Sequence, residues 1–211
     1  MATIFNESTV AVQPAGNGAA RQQLLSEARV PGSGILLDRL TLERGGEARL
    51  AVPATSVAWI QPLDGQSLLT HDGSRQTLTE AHIAFLPPGF AATISSAGGA
   101  ALLYGEIPDA GRFDAGFKQN PPSFRLADWT REPVLDSEHD ARKRIYLVTP
   151  KLFGTHALKG EMIIYPPGTE AANHHHEGAE HFMYLLKGRA TAHANEQPFQ
   201  VRKGDVVYFH D

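Results

Sequence analysis

Residues 168–188 read GTEAANHHHEGAEHFMYLLKG, a stretch that holds four of the chain's ten histidines and three glutamates between two glycines. Two readings compete at this point: a nitrogen-rich metal site, or a hydrated polar turn. The second half of the stretch, EHFMYLLKG, alternates in the manner of a strand running into a glycine turn. Side chains on a strand alternate faces with period two, so His181, Met183 and Leu185 share one face and Glu180, Phe182 and Tyr184 the other. If the first face is the inner one, His181 points inward and Glu180 does not.

Working outward, the rest of the chain has the punctuation of an all-β protein, with 20 glycines and 14 prolines between short apolar runs. Residues 34–107 hold GILLDRLTLERGGEARLAV, SVAWIQPLDGQSLLTHDG, AHIAFLPPGFAATISS and AALLYGEI, which read as strands and turns. Residues 108–143 are polar and rich in Pro and Asp, the texture of a linker laid on a surface. Strand signals resume with RIYLVTP, GEMIIYPPG, EHFMYLLKGRATAHA and KGDVVYFH. A helix is expected only near Ala19–Ala28, where AARQQLLSEA has good helix formers. This divides the chain into an N-terminal extension (1–32), a first β unit (33–107), a linker (108–143) and a second β unit (144–211).

The two β units can be laid on each other. Gly46 precedes Gly65 by 19 residues and Gly168 precedes Gly188 by 20, while Gly65 to Ala81 and Gly188 to Gly204 are both 16. AHIAFLPPG then falls on GDVVYFHD, so the chain reads as a tandem repeat with one residue inserted in the second copy.

Composition narrows the function classes. A chain of 211 residues with 42% hydrophobic content and net charge −4 describes an ordinary globular protein. It has no basic stripe for nucleic acid or an anionic membrane, and no apolar run near the roughly 20 residues of a spanning helix. Cysteine is absent, which removes thiolate ligands and fits a cytoplasmic setting. The N-terminus has neither the basic start nor the apolar stretch of a signal peptide.

The second copy resembles the cupin signature: a Gly, five residues, H-x-H, three or four residues, an acid, six residues, a Gly. His174 and His176 fill the H-x-H after Gly168. The next slot is Glu180 counted forward from His176, or His181 counted back from Gly188, and strand phase favours His181. KGDVVYF from Lys203 resembles the start of the second cupin motif, with His210 where a proline is usual. The resemblance implies two tandem jelly-roll β-barrels. Imidazoles two apart on a strand, joined by one from a neighbouring strand, form a three-sided nitrogen cage for one divalent ion such as Mn, Fe, Ni or Zn, with a coordination position left open. His174, His176 and His181 are the expected ligands. Glu180, Glu170 and His210 are the alternatives or outer partners, and His175 points away.

The same ruler places the first copy's ligand slots on Val52, Ala54, Ala58 and Ala92, all apolar, so metal is expected in the second copy alone. A fourth ligand would fall near position 215, past Asp211, so the second barrel is expected to be truncated. His71, His82, His139 and His156 are read as ordinary surface or turn residues. With histidine in the acidic slot, the resemblance points to two groups: two-cupin ureidoglycine aminohydrolases with manganese, and three-histidine iron dioxygenases of the gentisate and diketone type. The sequence departs from the first group, which has Glu where His174 stands. The expectation is a bicupin acting on a small polar or carboxylate-bearing metabolite by Lewis-acid activation. A non-enzymatic ligand-binding bicupin is the alternative. Neither catalytic residues nor oligomeric state can be named from the sequence, and a homo-oligomer stays open.

Overall fold

In the computed structural model, which describes residues 2–172, 174, 177–194 and 196–210, the alternating segments form strands. The first part holds β1 (Ala2–Asn6), β2 (Gln13–Gly16), β3 (Ala19–Leu25), β4 (Leu36–Leu42), β5 (Glu47–Ala51) and β6 (Val57–Gly65). It continues with β7 (Ser67–His71), β8 (Ser74–Leu78), β9 (His82–Leu86), β10 (Ala91–Ser95), β11 (Ala100–Ile107) and β12 (Arg125–Asp128). The second part holds β13 (Leu135–Asp136), β14 (Lys143–Val148), β15 (Gly160–Ile164), β16 (His181–Tyr184), β17 (Arg189–Ala194), β18 (Gln197–Arg202) and β19 (Asp205–Phe209). The first barrel is a jelly roll whose two sheets run β5-β10-β7-β8 and β12-β9-β6-β11-β4-β3-β2. The second part contributes β1-β19-β16, β13-β14-β15 and the hairpin β17-β18. No helix among the described residues is long and apolar enough to cross a membrane.

The large sheet is buried on both faces. Along β6, Ala58 and Ile60 enter the interior of the first barrel with Leu40, Leu69, Leu86 and Ile94. Val57 and Trp59 point the other way, into a cluster shared with Ile145, Leu147, Val206 and Tyr208 of the second part. Strand β9 divides likewise, with Ala84 and Leu86 inside and Ile83 and Phe85 at the junction. This explains the unbroken apolar runs in AWI and IAFL, which a sheet facing water on one side would interrupt. Full burial of an aromatic side chain such as Tyr208, with no solvent exposure, contributes about 2–3 kcal/mol.

The repeat is visible in strand pairing. Ala58 pairs with Leu86 where β6 meets β9, and His181 pairs with Phe209 where β16 meets β19, each partner displaced by 123 residues. Ser67↔Leu78 and Ala190↔Val201 keep the same displacement in the two hairpins. Trp59 and Phe182 are therefore equivalent positions, and they stack on each other across the junction at 6.0 Å and 21°.

Two expectations are corrected. Residues Ala19–Leu25 form a strand, not a helix: β3 pairs with β4 along its length, and Gln22 donates to the carbonyls of Glu7 (2.8 Å) and Val10 (3.0 Å). Tertiary pairing outweighs the modest helix propensity of such a sequence. Residues 108–143 are more than surface linker, because β12 joins the first barrel beside β9, with Leu126 opposite Ala84. Strand β1 takes the corresponding place in the second part, with Ile4 opposite Val207, again 123 residues beyond Ala84. The first residues of the chain thus complete the sheet that carries His181.

Candidate metal centre

Two tight turns position β16. Gly188 has φ +81° and its equivalent Gly65 has φ +73°, left-handed conformations that favour glycine. Asp205 holds the turn before β19, accepting from the Arg202 backbone N–H (2.6 Å) and from Asn6 Nδ2 on β1 (2.6 Å). The Asp of KGDVVYF is thereby a turn and strand-pairing residue.

Opposed residues in an antiparallel pair share a face. Phe182 and Tyr184 pack into the junction cluster with Val206 and Tyr208, so His181 and Met183 lie on the opposite face with Val207, Phe209 and Ile4. The His181 ring stacks on Phe209 at 6.1 Å and 23°. Glu180 turns to the junction side. There it accepts from the Gly34 backbone N–H (2.7 and 2.9 Å to its two oxygens), from Tyr208 Oη (2.7 Å) and from Ser33 Oγ (3.3 Å). Burial pushes the Tyr208 hydroxyl up to about 12, with Ser33 opposing and the Glu180 carboxylate reinforcing the shift. A second bridge across the junction joins Tyr184, whose hydroxyl donates to Glu7 Oε2 (2.5 Å), to Arg39, whose Nε lies 3.0 Å from the same oxygen. Burial, then Glu7, raises the Tyr184 hydroxyl above its ordinary range.

His174 is exposed, and its Nδ1 lies 2.8 Å from the Ala172 carbonyl. A carbonyl can only accept, so Nδ1 is the donor in this contact. A second hydrogen bond of that kind orients a ligating imidazole. His176 and His175 lie outside the described residues. Glu170 is exposed, and His210 is exposed with its ring edge-on to Tyr208 at 4.9 Å and 88°. Among the described residues no three His, Asp or Glu side chains gather into a metal-sized group. The face of β16 that carries His181 is otherwise apolar, with Met183, Val207 and Phe209, so imidazole nitrogen is the donor type it offers to a borderline divalent ion.

In the first barrel, Val52 and Ala58 are buried in the core and Ala92 packs against it, while Ala54 is exposed. These slots offer no donor atoms. His71 ends β7 beside the Asp72–Gly73 turn, as read from the sequence, and is 36% exposed; its ring stacks on Phe90 at 4.0 Å and 24°. His82 opens β9, its Nδ1 within 3.2 Å of Thr79 N and 3.0 Å of Thr79 Oγ1.

A family model described as the Cupin domain matches residues 161–211. No curated protein matches the sequence significantly. Among solved structures, a candidate glyoxylate-induced protein from Pseudomonas aeruginosa aligns over 98% of this chain and 79% of its own, with TM-score 0.78 and 13% identity. Protein YlbA from E. coli aligns over 98% and 81%, with TM-score 0.64 and 12% identity. A two-residue deletion variant of Bacillus subtilis oxalate decarboxylase aligns over 97% and 70%, with TM-score 0.71 and 14% identity. At such identities the likeness is one of fold, and it spans both halves of the chain.

Proposed function

We propose that the second barrel, part of which matches a Cupin domain model, holds one divalent metal ion through His174, His176 and His181, and that it acts on a small polar or carboxylate-bearing metabolite. The observation that carries the reading is the phase of β16, which sends His181 to the face of Met183 and Glu180 to the junction. When bound, a manganese, iron, nickel or zinc ion in such a cage supplies Lewis-acid polarisation of a coordinated oxygen.

The residues themselves do three things. The Ala172 carbonyl accepts from His174 Nδ1, which orients the ring. Glu180 spends its charge on Gly34 and Tyr208, so it does not offset the charge of an ion held by neutral imidazoles, which favours anionic ligands. Met183, Val207 and Phe209 keep water from one side of His181, which strengthens the attraction for a carboxylate. The oxalate decarboxylases among the structural neighbours are named for a dicarboxylate substrate, which supports the same class here.

Within that class, hydrolytic ammonia release of the ureidoglycine type is our first reading, resting on histidine in the acidic slot and apolar residues at the first barrel's slots. The test loads the protein with manganese or iron and assays ureidoglycine, oxalate, gentisate and a β-diketone with and without oxygen. Anaerobic ammonia release with manganese supports the reading. Oxygen uptake with iron would replace it by a dioxygenase, carbon dioxide release from oxalate by a decarboxylase, and no turnover by the metal-loaded protein would leave a binding module.

A further inference from the structure

The first barrel has no metal donors at its ligand slots, yet its inner face is not filled at one end. A cavity of about 210 Å³ lies between Leu69, His71, Ser74, Gln76, Phe90 and Phe124. Ala92, the apolar counterpart of the expected fourth ligand, follows Ala91, whose carbonyl lies 2.7 Å from His71 Nδ1. His71 thus ties the cavity's edge to β10, at one end of the β-barrel, a common place for small-molecule sites.

We propose that this cavity is a metal-free binding site for one uncharged planar aromatic or heteroaromatic ring bearing a hydroxyl or carbonyl group. Size admits this occupant, since about 150 Å³ accommodates benzene and the 210 Å³ here opens to solvent beside the exposed Ser74, Gln76 and Phe124. A single substituted ring matches the larger volume, whereas a fused bicyclic ligand would crowd it. The lining supplies the ring's partners. His71 and Phe90 are near-parallel, and Phe90 and Phe124 lie 5.5 Å apart at 9°, so a flat guest continues a stack already in place. Phe90 is buried in the barrel core, while Phe124 is 37% exposed at the cavity edge.

The polar lining fixes the charge of the ligand. Gln76 and Ser74 offer donors and acceptors to a hydroxyl or carbonyl. No lysine or arginine lines the cavity, and the Asp72 carboxylate lies 3.4 Å from His71 Nε2 at its rim. No lining side chain carries a fixed positive charge to hold an anion, so the cavity favours an uncharged ring. His71 Nδ1 donates to the Ala91 carbonyl, so the ring is held in the plane of the stack before a ligand arrives. This site is independent of the metal centre and survives if the reading of that centre fails.

Phenol is the probe, with cyclohexanol testing the need for a flat ring and benzoate the need for neutrality. Titrations followed by NMR shifts of His71 and Phe90 should show saturable phenol binding at millimolar concentration, with weaker binding of both comparison compounds. Phe124→Ala should weaken phenol about fivefold, the scale of one lost aromatic contact. Gln76→Ala, an exposed position that leaves the core intact, should weaken phenol but not benzene. Metal content should not change in either variant. Absence of saturable shifts, equal binding of cyclohexanol, or unchanged phenol affinity in both variants would overturn the proposal.

Discussion

Gly105→Ala tests the junction between the barrels. Gly105 on β11 stands opposite Trp59 on β6, and a Cβ at that position would lie 2.0 Å from indole Cζ2 and 2.3 Å from Cε2 and Cη2. Ordinary contact begins at 3.4 Å, so the indole would have to retreat by about 1.4 Å. Trp59 is 7% exposed and already stacks on Phe182, so the ring cannot move without disturbing the second barrel. Overpacking a dense core costs about 1–3 kcal/mol, and a clash with a rigid bicyclic ring belongs at the upper end, about 3 kcal/mol. With a urea slope of about 2 kcal/mol/M, the unfolding midpoint should fall by about 1.5 M. Circular dichroism is the suitable readout, because the partner variant Trp59→Leu removes a fluorophore. Adding Trp59→Leu to Gly105→Ala should cost much less than the sum of the two single changes, since the clash disappears with the indole. An unchanged midpoint in Gly105→Ala, or strict additivity in the double variant, would refute this account of the junction.

Glu180→Ala leaves the Tyr208 hydroxyl and the Gly34 N–H without their acceptor, and should destabilise the protein by about 2–3 kcal/mol in urea titrations. Asp38 is raised to about 6 by burial, with Arg21 opposing and Glu106 reinforcing. The unfolded chain releases this proton near the ordinary 3.8, so the stability carried by neutral Asp38 is complete below that pH and lost as pH rises through about 6. Asp38→Asn should therefore gain in melting temperature relative to the parent between pH 4 and pH 7, and a constant difference would contradict the burial argument. Tyr184→Phe removes a donor from Glu7 while Arg39 remains beside it, so a loss of about 1–2 kcal/mol is expected by thermal unfolding.

Much of this architecture was legible because glycine spacing and side-chain alternation are local. Gly65 and Gly188 mark the same turn in both copies, and the spacing between glycines anticipates the constant displacement of strand pairs. The phase of EHFMYLL likewise separates His181 from Glu180 without reference to any other strand. What was not legible depends on distant partners. Ala19–Leu25 is a strand because β4 and the carbonyls of Glu7 and Val10 claim it, and nothing within AARQQLL says so. The crossing of β1 to β19 joins residues about two hundred positions apart, a pairing no periodicity encodes. Glu180 could be placed on the junction face from phase, but its attachment to Gly34 requires knowing which loop the second barrel meets.

Metal stoichiometry in two neighbouring variants tests the central claim most directly. The protein, Glu180→Ala and His181→Ala would each be loaded with manganese, desalted and measured for bound metal. The account expects about one ion per chain in the parent and in Glu180→Ala, whose lost carboxylate belongs to the junction, and almost none in His181→Ala, which loses one of three nitrogen donors. Full metal in His181→Ala together with loss of metal in Glu180→Ala would contradict the placement of the site on the Met183 face of β16.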